Sequence, residues 1–144
     1  LGKNFFAIYH TKKEIPGMQE IRKLFRFEAA HRLPAHQGAC RRLHGHSYKL
    51  EVGITGGVQR SESKPDFGMI MDFGDLKRIV EEEVISTHDH QLLNEIYPNP
   101  TAENMVKAIA ESIQFRLPPG RFLTIVRLWE TEGCYAIWRS TKAI

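Results

Sequence analysis

Only two cysteines, Cys40 and Cys134, occur in the 144 residues, too few and too far apart for a disulfide framework or a Cys-rich structural zinc cluster. In a reducing compartment neither is expected to pair, so each reads as packing or as chemistry. No apolar run approaches the roughly 20 residues of a membrane-spanning helix. The first thirty residues carry no apolar core followed by a small-residue cleavage site, so the expected compartment is the cytoplasm and no membrane partner is expected. Long Lys/Arg tracts are also missing: the adjacent basic pairs Lys12-Lys13, Arg22-Lys23, Arg41-Arg42 and Lys77-Arg78 are scattered. The formal net charge of +3 therefore does not form a nucleic-acid-binding arm, and it suits a polyphosphate ligand as well as a nucleic-acid surface. There is no internal repeat and no low-complexity stretch.

What is present fits one domain: 42% apolar and 26% charged residues suffice for an ordinary core without covalent staples. Residues 1–22 read as a poorly patterned lead-in broken by Pro16-Gly17, and 23–144 as the domain. Alternate residues Phe25, Phe27, Ala29, His31 and Leu33 form an apolar strand face with a histidine near its end. A second strand alternates His44, His46, Tyr48, Leu50, Val52 and Ile54 against Gly45, Ser47, Lys49, Glu51 and Gly53. The apolar run from Gly68 to Phe73 reads as a short third strand. A helix follows, with Asp72 or Gly74-Asp75 as its cap and Phe73, Leu76, Ile79, Val80 and Val84 at helical spacing. A second helix is expected after Pro100, capped by the Thr101 hydroxyl, with Met105, Val106, Ile109, Ile113 and Leu117 as its stripe and Pro118-Pro119-Gly120 as its stop. Strands over Phe122–Thr131 and Tyr135–Arg139 complete the chain. Three strands, two helices and two strands in that order are segregated rather than alternating, which predicts an α+β fold: an antiparallel sheet backed by two helices.

Two histidines at i and i+2 on a strand project from one face, where both imidazoles reach a shared zinc at about 2.0–2.1 Å. His44 and His46 meet that condition. His31, in phase with the inward face of the neighbouring strand, supplies a third ligand and leaves a coordination position open, the layout of a catalytic zinc site. The alternative is a satisfied core histidine beside a polar strand end. Cys40 lies four residues before His44, next to Arg41 and Arg42, cations that favour a thiolate able to act as a general base; the alternatives are a fourth zinc ligand or an inert thiol. In His88-Asp89-His90 a carboxylate sits beside imidazoles, which is how a proton shuttle is commonly built, although a plain helix-terminal histidine is the simpler reading for His88. Glu130 lies on the inward face with Val126 and Leu128. It either pairs with a core cation or accepts from a ligand's amidine-like edge. Cys134, Trp129 and Trp138 show no pattern beyond packing.

The blocks FEAAHRL, CRRLHGHSY, GMIMDF, DHQLLN, NPTAEN and WET together resemble the 6-pyruvoyl-tetrahydropterin synthase superfamily over roughly 25–139. The interval from Cys40 to the HGH is most similar to the bacterial 6-carboxy-5,6,7,8-tetrahydropterin synthase branch, which serves queuosine and 7-deazaguanine biosynthesis. The resemblance implies a T-fold, a four-stranded antiparallel sheet with two helices on one face, assembling as a homohexamer. It also implies zinc on His31, His44 and His46, proton transfer by Cys40, Asp89 and His90, and a pterin held by Glu130 with Thr101 and Glu103 at its edge. The implied reaction is the conversion of 7,8-dihydroneopterin triphosphate to 6-carboxy-5,6,7,8-tetrahydropterin with release of acetaldehyde and triphosphate, with no nucleic-acid partner. Two rivals are formation of the 6-pyruvoyl product or an aldolase-like reaction on the same fold, and a noncatalytic zinc-stabilised nucleic-acid-binding module. The lead-in is longer than the resemblance accounts for.

Overall fold

The computed structural model describes residues 17–142. β1 (Glu20–His31) and β2 (His44–Gly56) form a long antiparallel pair, β4 (Arg121–Thr131) adds to β2, and β5 (Cys134–Arg139) adds to β4. Helix α1 starts as Phe73–Val80, widens into a π-turn at Glu81–Ile85 and ends in Ser86–His88; α2 spans Ala102–Arg116. Both helices pack on one face of the sheet, as the expected α+β architecture requires. Alternation explains the packing: Phe25, Phe27, Tyr48, Leu50, Val52, Ile54, Leu123 and Leu128 point inward and are buried against Leu76, Val80, Met105, Ile109 and Ile113 of the helices. Each such side chain contributes about 1.5–3 kcal/mol on leaving water.

The sheet departs from the expected one in two places. It has five strands in the order β3-β1-β2-β4-β5, because the two-residue β3 (Gln91–Leu92) pairs parallel to β1 at Ala29 and Ala30. Two residues carry no readable periodicity. The stretch Gly68–Phe73, expected as a strand, is instead the turn that enters α1: Gly68 has φ +83°, which breaks an extended run, and the Asp72 carboxylate accepts from the Gly74 N–H at 2.6 Å as the cap. Its apolar character has a different cause, since Ile70 and Met71 are buried as part of the hydrophobic core. The Thr101 cap is present as expected, accepting from Asn104 N–H at 3.2 Å. β1 begins at Glu20, so Glu20, Ile21 and Arg22, placed by sequence in the lead-in, are strand residues. Their charges sit on the outer face, where Arg22 bridges Glu20 and Glu51. Residues 1–16 lie outside the described residues. Among the described residues no helix is long and apolar enough to cross a membrane.

His88, the simpler case of the two helix-end histidines, is structural. It is buried at the end of α1, its Nδ1–H donates to the Val84 carbonyl at 2.8 Å, and its Nε2 accepts from the Tyr97 hydroxyl at 2.6 Å. Burial lowers its pKa below the ordinary 6.5 and the Val84 bond only partly offsets this; burial also pushes the Tyr97 hydroxyl up to about 12. A depressed imidazole pKa means that the unfolded chain binds the proton more tightly. Its contribution to stability is therefore present above pH 6.5 and is lost as pH falls below that value. Tyr97→Phe leaves a buried acceptor without its donor and is expected to cost about 1–3 kcal/mol. Denaturant unfolding at neutral pH measures it, and a change under 0.5 kcal/mol, the usual surface range, contradicts the assignment.

Candidate metal centre

Strand register brings the three histidines together. In the β1–β2 ladder His31 lies directly opposite His44, and Ala29 lies opposite His46, so His44 and His46 flank His31 on the inward face at the open end of the sheet. Their rings meet edge to face, with centroids 4.7 Å (His31–His44), 5.0 Å (His31–His46) and 4.8 Å (His44–His46) apart. The Nε2 atom of His31 is 3.1 Å from the Nε2 of His44 and 3.1 Å from the Nε2 of His46, and the ligand atoms of all three lie within 4.8 Å of one another. A tetrahedral centre with metal–nitrogen bonds of about 2.0–2.1 Å spaces its ligands at about 3.3 Å.

The outer nitrogens decide what faces inward. The His31 Nδ1–H donates to the Pro100 carbonyl at 2.8 Å, with the Tyr48 hydroxyl 3.4 Å away, and the His44 Nδ1–H donates to the Arg42 carbonyl at 2.7 Å. A neutral imidazole has one N–H, so both rings turn bare lone pairs toward each other, an arrangement that repels unless a cation sits between them. Burial, followed by the neighbouring His31 and His44, lowers the pKa of His46, which keeps it in the neutral, ligating form. His31 is buried while His44 and His46 are partly open, so one side of the trio is accessible. The donor set therefore fits a divalent metal with a free coordination position.

The other expected site residues divide into two groups. Asp89 and His90 form a dyad, with Oδ2 of Asp89 2.9 Å from Nδ1 of His90. The second carboxylate oxygen, Oδ1, accepts the Glu28 N–H at 2.9 Å. That backbone bond first, and His90 second, hold the Asp89 carboxyl below its usual range, so it stays ionised. His90 adopts a positive φ of 58°, a sparsely populated conformation for a residue with a β-carbon. An open cleft of about 510 Å³ has His46, Ser47 and His90 among its walls. Cys40 sits partly buried in a 3-10 turn, Ala39–Arg41, on the loop from β1 to β2. It is not one of the three residues of the ligand cluster, which argues against a fourth ligand, and it is not among the residues lining that cleft.

Glu130 is partly buried at a β-bulge. The β4–β5 pairing steps from Trp129↔Tyr135 to Thr131↔Cys134 and leaves Glu130 as the extra residue, a device that re-aims a side chain. Burial first, and the charge of Glu130 second, keep the Tyr48 hydroxyl protonated. No ion pair reaches Glu130 among the described residues, so the core-cation alternative has no support. The Thr101 hydroxyl is engaged as the α2 cap, and Glu103 is exposed in the first turn of that helix. Sequence reasoning missed the carbonyls of Pro100 and Arg42, for which backbone atoms leave no signal, and Tyr48, which was legible as the next residue in phase after His44 and His46.

The chain is similar to several known proteins. The family described as 6-pyruvoyl tetrahydropterin synthase matches residues 20–141. The 6-carboxy-5,6,7,8-tetrahydropterin synthase of Haemophilus influenzae is 36% identical over 138 residues, covering 82% of this chain and 96% of that protein. A dihydroneopterin monophosphate aldolase of Pyrococcus furiosus is 38% identical over 104 residues, covering 72% and 82%. Among solved structures, Caenorhabditis elegans 6-pyruvoyl tetrahydropterin synthase superposes with a TM-score of 0.71 at 24% identity, over 87% of this chain and 97% of that one; at that identity the likeness concerns the fold.

Proposed function

This chain belongs to the 6-pyruvoyl tetrahydropterin synthase family, and from that premise we propose that it is a zinc enzyme converting 7,8-dihydroneopterin triphosphate and one water to 6-carboxy-5,6,7,8-tetrahydropterin, with acetaldehyde and triphosphate released. The observation that carries the reading is the convergence of the His31, His44 and His46 Nε2 atoms, with two of the three rings turned inward by backbone carbonyls. Zinc held there supplies Lewis acidity toward the side-chain hydroxyls of the substrate. Cys40, as thiolate, takes a proton from a side-chain carbon, and His90, oriented by Asp89, handles the complementary proton. Glu130, which forms no ion pair among the described residues, accepts from the amidine-like edge of the pterin, and Thr101 and Glu103 lie near that edge in a homohexameric assembly. Zinc itself, rather than iron or another divalent ion, is part of the proposal and rests on the all-imidazole donor set. Cytoplasmic queuosine biosynthesis is the setting the reading supports.

The test is incubation of the purified protein with dihydroneopterin triphosphate and identification of the products. Acetaldehyde with the 6-carboxy product supports the proposal. A 6-pyruvoyl product without acetaldehyde, or cleavage limited to an aldolase reaction on dihydroneopterin phosphates, contradicts it; the similarity to the Pyrococcus aldolase makes the last assay necessary. Glu130→Ala removes a charge-assisted acceptor worth about 1.5–3 kcal/mol, so KM is expected to rise roughly 10- to 100-fold while metal content stays at one ion per chain. An unchanged KM takes Glu130 out of the pterin site.

A further inference from the structure

The segment that carries the dyad is sewn to the strand that carries His31. At one end Glu28 of β1 donates its N–H to the Asp89 carboxylate at 2.9 Å and accepts from the His90 N–H. In the middle Gln91 and Leu92 pair with Ala29 and Ala30. At the far end the backbone ladder has stopped, and a side chain takes over. Asn94 accepts the Arg32 N–H on its Oδ1 at 2.9 Å and donates from Nδ2 to the Arg32 carbonyl at 2.8 Å, so its amide copies the two-bond pairing of one more strand residue. Arg32 directly follows His31, and the next N–H, that of Leu33, donates to the Cys40 carbonyl at 2.8 Å. Leu93, fully buried, anchors the segment between the dyad and the clasp. One asparagine thus fixes the exit of the metal strand, and through Leu33 the turn that holds the thiol, to the same short segment that holds Asp89 and His90.

We propose that Asn94 is a positioning residue, whose two-bond clasp on Arg32 sets His31 in the metal trio and keeps the Cys40 turn in register with the dyad segment. The metal part rests on the histidine geometry alone; the part concerning Cys40 and the dyad rests on the functional reading above. Outer-shell partners of metal ligands are worth about 10- to 100-fold in metal affinity or activity, and a clasp acting through backbone belongs at the lower end of that range.

The experiment is a zinc titration of the full chain against a competing chromophoric chelator, for wild type, Asn94→Ala and Asn94→Asp. Asn94→Ala removes both bonds. Asn94→Asp is nearly isosteric and keeps the acceptor, but it sets an oxygen against the Arg32 carbonyl. Zinc Kd is expected to rise about tenfold in both, with kcat on dihydroneopterin triphosphate falling more than KM changes. Values of Kd within twofold of wild type in folded variants overturn the proposal, even if Tm falls, because a merely structural clasp lowers Tm alone. Coupling between clasp and metal is reciprocal, so in the unaltered protein chelation should speed hydrogen exchange at the Arg32 amide; equal exchange with and without zinc also overturns it. If wild-type protein binds zinc but does not turn over the triphosphate, the functional reading fails while the zinc titration still judges Asn94.

Discussion

His46→Ala is expected to lose bound metal and turnover together, with kcat/KM falling about a thousandfold or more. Lewis-acid stabilisation by a bound metal amounts to several kcal/mol, and each 1.36 kcal/mol is a factor of ten in rate. The geometry says why one ring is enough. With His46 gone, His31 and His44 remain 3.1 Å apart, but two imidazoles with two open positions hold a catalytic zinc much less well than three. His46 is the cleanest choice for the test. His31 is buried and bonded to Pro100, so removing it also disturbs packing, whereas His46 is partly open and borders the cleft. Metal analysis after dialysis and a steady-state assay on the same preparation decide the matter. Full activity in a metal-free sample contradicts the role given to zinc, and retention of a full metal equivalent removes His46 from the trio.

The trio was legible in the sequence because strand alternation is a strict rule: His44 and His46 had to share a face, and His31 was in phase with Phe25, Phe27 and Ala29. The ladder register then did what phase could only suggest, setting His31 opposite His44. The Asp89–His90 contact was legible for a similar reason, as adjacency in the chain became adjacency in space. Elements that depend on tertiary context were not legible. Gly68–Phe73 looked like a strand because a short apolar run has no period to distinguish a strand from a buried turn. β3 is too short to leave a pattern, and the bulge that displaces Glu130 belongs to a pairing between β4 and β5 rather than to either strand alone. The carbonyls of Pro100 and Arg42 and the clasp of Asn94 on Arg32 are backbone relationships across 69, 2 and 62 residues respectively. Neither composition nor spacing encodes a backbone carbonyl as a partner.

Asp89→Asn separates proton transfer from metal binding more sharply than any change to the thiol. The carboxylate does two jobs at once: Oδ1 accepts the Glu28 N–H at 2.9 Å and Oδ2 faces His90 Nδ1 at 2.9 Å. An asparagine keeps one acceptor for Glu28, so the segment stays attached to β1, but it presents an N–H to His90 where an acceptor stood. The imidazole must then turn away or adopt the opposite tautomer, with its proton on the wrong nitrogen for a shuttle that Asp89 orients. Positioned acid–base groups contribute about 10²- to 10⁴-fold, so kcat is expected to fall by at least about a hundredfold, with metal content unchanged and KM within a few-fold of wild type. The pH dependence supplies a second readout. Because the Glu28 bond and His90 hold the Asp89 carboxyl below its usual range, its charge is in place across the working range of the wild-type enzyme, and raising the pH should not rescue the variant. Cys40→Ala provides the complementary comparison: a large loss of kcat on the same preparation, again with metal retained, places both proton-transfer groups in one reaction. A variant with Asn at position 89 that keeps kcat within threefold of wild type leaves the His90–Asp89 contact a structural pin on β1 and moves the search for the second proton-transfer group elsewhere along the cleft.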